Sequence, residues 1–361
     1  MRVVHVAPTA FGPGGLFGGG ERYPVELARA LSKYVDCTLV TFGASARSYS
    51  DPSGLEVVVL KTKRLLRGHP AHPVATDLHR HLAADVVHTH HMRSVPSRVA
   101  AIASKLQRRK TAVTDHGLGP GGFAGLLPRL FDRFLTVSAY SARVLNAPAS
   151  KTRVVFGGTD PERFSPDRGG DRDGIIYVGR ITPHKGIDQL IRALPDGVGL
   201  RIVGSQGHDR RPPESGYRAF LEELAVGKNV DFYGPASEEE LPKLIASACG
   251  LVLPSVHHTC YGRYVAIPEL LGLAMIEAMA CETPVICSRI GGLPEVVQDG
   301  TTGFVVDAGD VGALRERIAA LTGDATLRQT MGRAAREDVL ARFTWDHCAR
   351  RCVAAYEELV A

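Results

Sequence analysis

Arg2-Val-Val-His-Val-Ala7 leads through Gly12-Pro-Gly-Gly-Leu-Phe-Gly-Gly-Gly-Glu21 into the helical pattern Arg22–Leu31. A short β-branched strand, a glycine loop and a helix together make the opening unit of a parallel α/β sheet. Glycines there let the backbone approach an anion, and the helix start adds free N–H groups and the positive end of its dipole. Outward from this unit the pattern repeats. Apolar runs at 37–42, 57–60, 86–89, 111–114, 134–137 and 153–156 alternate with amphipathic segments. A second series follows at 174–178, 200–203, 230–233, 250–253, 284–287 and 303–306. Near-continuous apolar strands between helices predict parallel sheets covered on both faces. Thirteen such strands are too many for one sheet, so two domains are expected. The polar, glycine-rich Ser165-Pro-Asp-Arg-Gly-Gly-Asp-Arg-Asp-Gly174 reads as the linker between them.

Composition narrows the class. No apolar run approaches the ~20 residues a membrane helix needs, and the N-terminus lacks the architecture of a signal peptide. The seven cysteines show no CxxC and no zinc spacing, so reduced thiols and a cytoplasmic location are expected. Residues 1–160 carry 21 Lys+Arg against 10 Asp+Glu, whereas the remainder carries 22 against 28. Clusters at Lys61, Lys63, Arg64, Arg67 and at Lys105, Arg108, Arg109, Lys110 supply much of the excess. They read as solvated faces or as a patch for an anionic acceptor or a membrane surface. No aromatic residues interleave with them, which argues against nucleic acid as a partner.

The glycine loop alone does not choose a ligand. A nicotinamide enzyme would need an acid at the end of the second strand, but that strand ends Thr41-Phe42-Gly43-Ala44-Ser45, with Asp36 at the wrong end. Pro268-Glu-Leu-Leu-Gly-Leu-Ala-Met-Ile-Glu-Ala-Met-Ala280 says more. Gly272 opens a helix, so Glu269 falls in the loop before it and Glu277 within it. The N–H groups of Gly272, Leu273 and Ala274 would face a phosphate held at that terminus. A carboxylate accepts from two hydroxyls at once, which suits Glu277 to a ribose diol and Glu269 to sugar hydroxyls. Gly179-Arg-Ile-Thr-Pro-His-Lys-Gly186 places Arg180 and Lys185 after the first strand of the second half, where two cations would neutralise a diphosphate.

Taken together these residues resemble the family-4 retaining glycosyltransferases of the GT-B fold. The resemblance also includes Gly-Gly-Gly-Glu-Arg at 18–22, Asp85-Val-Val-His-Thr-His90, Thr114-Asp-His-Gly117, Val137-Ser138, Asp160-Pro-Glu-Arg-Phe-Ser-Pro166, Phe232-Tyr-Gly234, Pro254-Ser255, Gly291-Gly-Leu-Pro-Glu295 and Phe343-Thr-Trp345. It implies two Rossmann-like domains facing a cleft. Residues 1–165 with the closing helix 345–361 would take the acceptor, and 166–344 the nucleotide-sugar donor. It further implies that Glu277 binds the donor ribose, Glu269 the sugar, and Arg180 with Lys185 the diphosphate. Gly18 and Gly19 would approach the diphosphate from the first domain, His116 would contact the transferred sugar, and the base would lie against Tyr233 and Gly234. Glu21 and His90 fall on the acceptor side. The implied reaction is metal-independent transfer with retention by a front-face route, with a UDP-sugar favoured as donor and no cofactor.

Several departures stand out. Leu270 replaces a glycine, Cys281-Glu282 replaces Cys-Gly, and Gly157-Gly158-Thr159-Asp160 replaces Asn-Gly before Val-Asp. Val256–Pro268 is an insertion whose position beside Glu269 suggests a part in the sugar or acceptor pocket. Two other signals are set aside. Asp171-Arg-Asp173 is a metal-binding DxD in another glycosyltransferase fold, but here it lies in the expected linker. His88-Thr-His90 with His116 could hold zinc in a metal hydrolase, yet no further ligand pattern follows at later strand ends. A sugar-nucleotide hydrolase or epimerase of the same fold remains the nearer alternative.

Overall fold

The computed structural model describes residues 1–8, 19–68, 72–116, 126–167, 169–207 and 213–361. It divides into two compact units, Met1–Gly157 with Trp345–Ala361, and Gly158–Thr344. The first contains β1 (Arg2–Val6), α1 (Gly19–Leu31), β2 (Asp36–Gly43), β3 (Arg47–Ser50), β4 (Glu56–Lys61), β5 (Arg64–Leu65), β6 (Pro73–Val74), β7 (Val86–His90), α2 (Val95–Leu106), β8 (Lys110–Thr114), β9 (Arg133–Thr136), α3 (Ala139–Leu145) and β10 (Thr152–Val154). The second contains β11 (Ile175–Val178), α4 (Ile187–Ala193), β12 (Leu200–Val203), α5 (Tyr217–Leu224), β13 (Val230–Gly234), α6 (Glu240–Ala246), β14 (Gly250–Leu253), α7 (Leu273–Ala280), β15 (Val285–Ser288), β16 (Gly303–Val306), α8 (Val311–Gly323) and α9 (Ala325–Arg342). The closing helix α10 (Trp345–Val360) returns to the first unit.

All thirteen apolar runs form strands. The first sheet has the order β10-β9-β8-β7-β1-β2-β4-β3, parallel except for β3, and the second has β13-β12-β11-β14-β15-β16, parallel throughout. Strand order reverses between β1 and β7 and between β11 and β14, and ligands of such sheets bind beyond the carboxyl ends at these reversals. The sequence reading missed β3, whose Arg47-Ser-Tyr-Ser50 is exposed throughout at the sheet edge, and the two-residue β5 and β6.

The two faces of the first sheet differ. Val4, Val6, Val40, Phe42 and Val87 form an apolar core with Ala100 of α2. On the opposite face His5, in register with His88, lies among buried histidines.

The boundary lies earlier than the expected 165/166. Thr159 bridges to Thr344, and its amide donates to the Phe343 carbonyl at 2.9 Å. Arg336 of α9 donates to the carbonyls of Phe164 at 3.2 Å and Pro161 at 3.3 Å. Residues 158–165 are thereby tied to the second unit. The expected linker is also internal to it. Asp173 N–H donates to the Ser247 carbonyl at 2.9 Å, and Arg172 donates to the carbonyls of Cys281 and Glu282 at 2.9 and 2.8 Å.

Glu282, which stands where a glycine was expected, has φ +54°. Left-handed backbone costs a residue with a Cβ about 1–2 kcal/mol, partly offset by glycine's greater freedom when unfolded. Glu282→Gly is therefore expected to stabilise the second unit by about 0.5–1 kcal/mol in urea titration. A loss of stability would show that the side chain contributes more than the strain costs.

Candidate active site

In the second unit the site grows from the ends of β11 and β14. Ser255 follows β14, is fully buried, and donates from Oγ to Glu269 Oε1 at 2.9 Å. Lys185 Nζ pairs with the same carboxylate oxygen. The two side chains are only 13% and 10% exposed, so the ion pair is largely desolvated, and removing either partner strands the other's charge. The sequence reading gave each its own ligand and did not foresee this contact, nor a part for Ser255.

Glycine geometry holds Glu269 in place. Gly291 has φ +58°, and a Cβ there would fall 2.1 Å from the Glu269 carbonyl oxygen. A side chain at 291 would push the carboxylate off Lys185 and Ser255.

Gly272, with φ +89°, turns the chain into α7, which has no side-chain cap. Leu273 and Ala274, both half-buried, lie in the first turn, where amides lack partners within the helix. Further along α7, Glu277 is buried at 4% exposure.

The electrostatics around β11 are positive. Arg180 is exposed, and its carbonyl accepts from Tyr177 Oη at 2.8 Å. The His184 imidazole is pushed down to about 3, first by burial and then by Lys185, Arg180 and Arg263, so it stays neutral among three cations. Burial and then Glu269 hold the Tyr177 phenol well above its ordinary value.

The insertion forms a small hairpin. His258 bridges antiparallel to Tyr264, and Val265 N–H donates to the His257 carbonyl at 2.7 Å. Tyr261 packs on Tyr217 and Phe220 of α5, while Arg263 pairs with Glu214 at 3.1 Å. Its arm thus reaches α5 and also sets Arg263 near His184.

Tyr233 and Gly234 end β13 at the sheet edge. Tyr233 is 39% exposed, and its hydroxyl donates to Glu240 Oε1 at 3.2 Å.

In the first unit, His116 follows β8 and Gly19 starts α1. A Cβ on Gly20 would lie 3.6 Å from His116 Cβ, so the start of α1 and this ring are neighbours. Glu21 is half-buried in the first turn of α1. Gly18 and most of the glycine loop lie outside the described residues.

Behind His116 is a buried layer of rings that the sequence reading only partly found. His90 Nδ1 meets His116 Nε2 at 3.4 Å, and His90 Nε2 meets His5 Nδ1 at 3.0 Å. His90, expected on the acceptor side, is fully buried with both ring nitrogens engaged. His88 also has both nitrogens engaged, with Tyr356 Oη at 2.7 Å and Thr114 Oγ1 at 2.8 Å. Ring nitrogens of His5, His88 and His90 lie within 4.8 Å of one another, but a metal would have to displace these hydrogen bonds. His88, His90 and His116, the zinc set weighed from the sequence, all belong to one hydrogen-bonded file. Burial pushes His5 down to about 3 and His91 to about 4, and holds His88, His90 and His116 well below the ordinary value.

Each unit matches a known family description. The family described as Glycosyltransferase Family 4 matches residues 17–163, and Glycosyl transferases group 1 matches 159–338. A GDP-mannose-dependent alpha-(1-6)-phosphatidylinositol monomannoside mannosyltransferase of Mycobacterium tuberculosis is 34% identical over 236 residues, covering 60% of this chain and 59% of that protein. A D-inositol 3-phosphate glycosyltransferase of Mycobacterium sp. is 36% identical over 199 residues, covering 51% and 43%. The matches thus span only about half the length of these curated relatives. Sucrose-phosphate synthase from Thermosynechococcus elongatus shares the fold with a TM-score of 0.75 at 23% identity, over 99% of both chains. Anabaena HepE, solved in complex with UDP, gives 0.77 at 20% identity over 99% of this chain and 100% of that one. With its two units matched in turn by the two family descriptions and its fold shared with GT-B structures, the chain belongs to the family-4 glycosyltransferases.

Proposed function

We propose that this chain is a retaining hexosyltransferase that moves a sugar from a nucleoside diphosphate donor to a hydroxyl of a phosphorylated inositol-type acceptor. The observation that carries the donor half is the Lys185–Glu269–Ser255 cluster beside the uncapped start of α7. Lys185 and Arg180 would take the departing diphosphate, together with the amides of Gly272, Leu273 and Ala274. Glu269 would then be released to the sugar hydroxyls, while Glu277 holds the ribose and the base rests along Tyr233 and Gly234. Positive charge fixed before the reaction stabilises the leaving phosphate without reorganisation. The leaving phosphate would take the acceptor proton on the same face.

The expected UDP-sugar yields first place to GDP-mannose, because the 34%-identical mannosyltransferase is named as dependent on it. Both relatives are also named for inositol phosphates or their lipids, which supports an anionic polyol acceptor.

Thermal shift against GDP-mannose, UDP-sugars and ADP-sugars tests the donor, since a ligand of the native state raises its Tm. Transfer to inositol phosphates is then assayed with the donor that binds. Free sugar released without acceptor would favour a hydrolase instead. We further propose that no metal is required, because Arg180, Lys185 and the helix start already carry the charge a divalent ion would supply. Dialysis against EDTA is expected to leave transfer unchanged. Loss restored by zinc or magnesium would overturn this reading and return attention to the histidines.

A lipid-borne acceptor would fit one further surface. Val99, Ile102 and Leu106 lie exposed on one face of α2 at helical spacing, and Leu65 and Leu66 are exposed after Lys63 and Arg64. Residues 57–110 hold eleven Lys+Arg against two acids. Apolar side chains among basic ones suit an anionic bilayer surface. The chain is expected to float with anionic but not zwitterionic vesicles, and Ile102→Asp with Leu106→Asp to abolish flotation. Equal flotation with both vesicle types would remove the electrostatic argument. No helix among the described residues is long and apolar enough to cross a membrane.

A further inference from the structure

The histidine layer forms a single file. Thr114 Oγ1 meets His88 Nε2 at 2.8 Å, and His88 Nδ1 meets Tyr356 Oη at 2.7 Å. Tyr356 Oη meets His5 Nε2 at 3.4 Å, and His5 Nδ1 meets His90 Nε2 at 3.0 Å. His90 Nδ1 meets His116 Nε2 at 3.4 Å. His116 Nδ1 ends the file, with no hydrogen-bond partner among the described residues.

A neutral imidazole has one N–H and one bare nitrogen, so it donates on one side and accepts on the other. Two bare nitrogens cannot face each other without losing a hydrogen bond, nor can two N–H groups. The orientation of one ring therefore fixes the next, and the whole file must run in one direction. The file can do this only because its rings are neutral, and burial keeps them so.

Tyr356 decides the direction. Its hydroxyl has one proton and can give it to His88 or to His5, but not to both. The contact to His88 has the length of an O–H···N bond, whereas the contact to His5 is much longer. The proton therefore goes to His88 Nδ1, leaving Nε2–H of His88 to donate to Thr114. The phenol oxygen then accepts from His5 Nε2–H, His5 Nδ1 accepts from His90 Nε2–H, and His90 Nδ1 accepts from His116 Nε2–H. Cys352, one turn earlier on α10, also lies against the hydroxyl, with its own S–H directed to Cys348.

We propose that Tyr356, acting through His5 and His90, fixes His116 as its Nε2–H tautomer and so presents Nδ1 as a bare acceptor for a ligand hydroxyl at the carboxyl ends of the first sheet. Tyr356, His5 and His90 are then positioning residues, and His116 is the ring that meets the ligand. The ligand contact rests on the function proposed above; the tautomer does not.

The test separates the two. Long-range 1H–15N spectra of the full chain near pH 7.5, with rings assigned by correlation to the backbone, report each histidine's tautomer. His5, His88, His90 and His116 are all expected as Nε2–H. Any one of them found as Nδ1–H overturns the file. Tyr356→Phe removes the proton that sets the direction, so His116 is expected to become a mixture of tautomers. Its kcat should fall about tenfold with donor KM unchanged. A folded Tyr356→Phe protein whose His116 stays purely Nε2–H overturns the role of Tyr356. If that variant does not fold, the wild-type spectrum still decides. His116→Ala that transfers sugar at the wild-type rate would overturn the ligand contact while leaving the tautomer result standing.

Discussion

Lowering the pH from 7 to 5 is expected to destabilise the first unit by several kcal/mol. An unfolded histidine titrates near 6.5, whereas burial pushes His5 down to about 3 and His91 down to about 4 in the folded chain. Between these values the unfolded state binds more protons than the native state, so stability rises with pH across the window and falls as pH drops through 6.5. At pH 5 each of these two rings should cost about 2 kcal/mol relative to pH 7, roughly 4 kcal/mol together. His88, His90 and His116 are depressed for the same reason and act in the same direction. Urea unfolding at pH 7, 6 and 5 measures this, with the first unit followed by Trp345, the chain's one tryptophan, which packs edge-on against Tyr23. A free energy that stays level down to pH 5 would mean that the layer admits water and charges in place.

Glu277→Ala is expected to weaken nucleotide binding by about 2–4 kcal/mol, roughly 30- to 1,000-fold, with the fold intact. The size follows from burial. At 4% exposure the carboxylate competes little with water, and a diol bound there would lose two charge-assisted hydrogen bonds at once. Alanine is the best helix former, so α7 should persist and the change should be one of binding. Glu277→Gln keeps one acceptor and should fall between the two. Calorimetry with the nucleotide chosen by thermal shift reads the result. Wild-type affinity in the alanine variant would remove Glu277 from the ribose and leave it a core residue of α7.

Much of this architecture was legible because parallel strands are buried on both faces and so read as unbroken apolar runs. Ile175–Val178 and Leu251–Leu253 could scarcely be anything else. Arg47–Ser50 was invisible because an exposed edge strand carries no such pattern. At the site, Glu269 and Lys185 were each singled out by local spacing, whereas their pairing depends on β11 and β14 lying side by side. Ser255 was missed for that reason. His5 had a signal that went unread: Val3-Val-His5 repeats as Val86-Val-His88, and the two triplets lie in register. Tyr356 had none, since only the return of α10 brings it beside β7. The domain break was misplaced because polarity and glycine content cannot distinguish a linker from a loop pinned by Arg172.

The return of α10 also orders events during synthesis. Residues 1–157 leave the ribosome first, yet the helix that supplies Tyr356 follows the whole of the second unit. Until it arrives, His5 and His88 lack the phenol that joins them, and their side of the sheet has no cover from that helix. Nascent chains fold from the N-terminal end as units, so the first unit must wait for its last helix while the second completes itself. A chain halted before Tyr356 would carry a finished second unit and an unsealed first one.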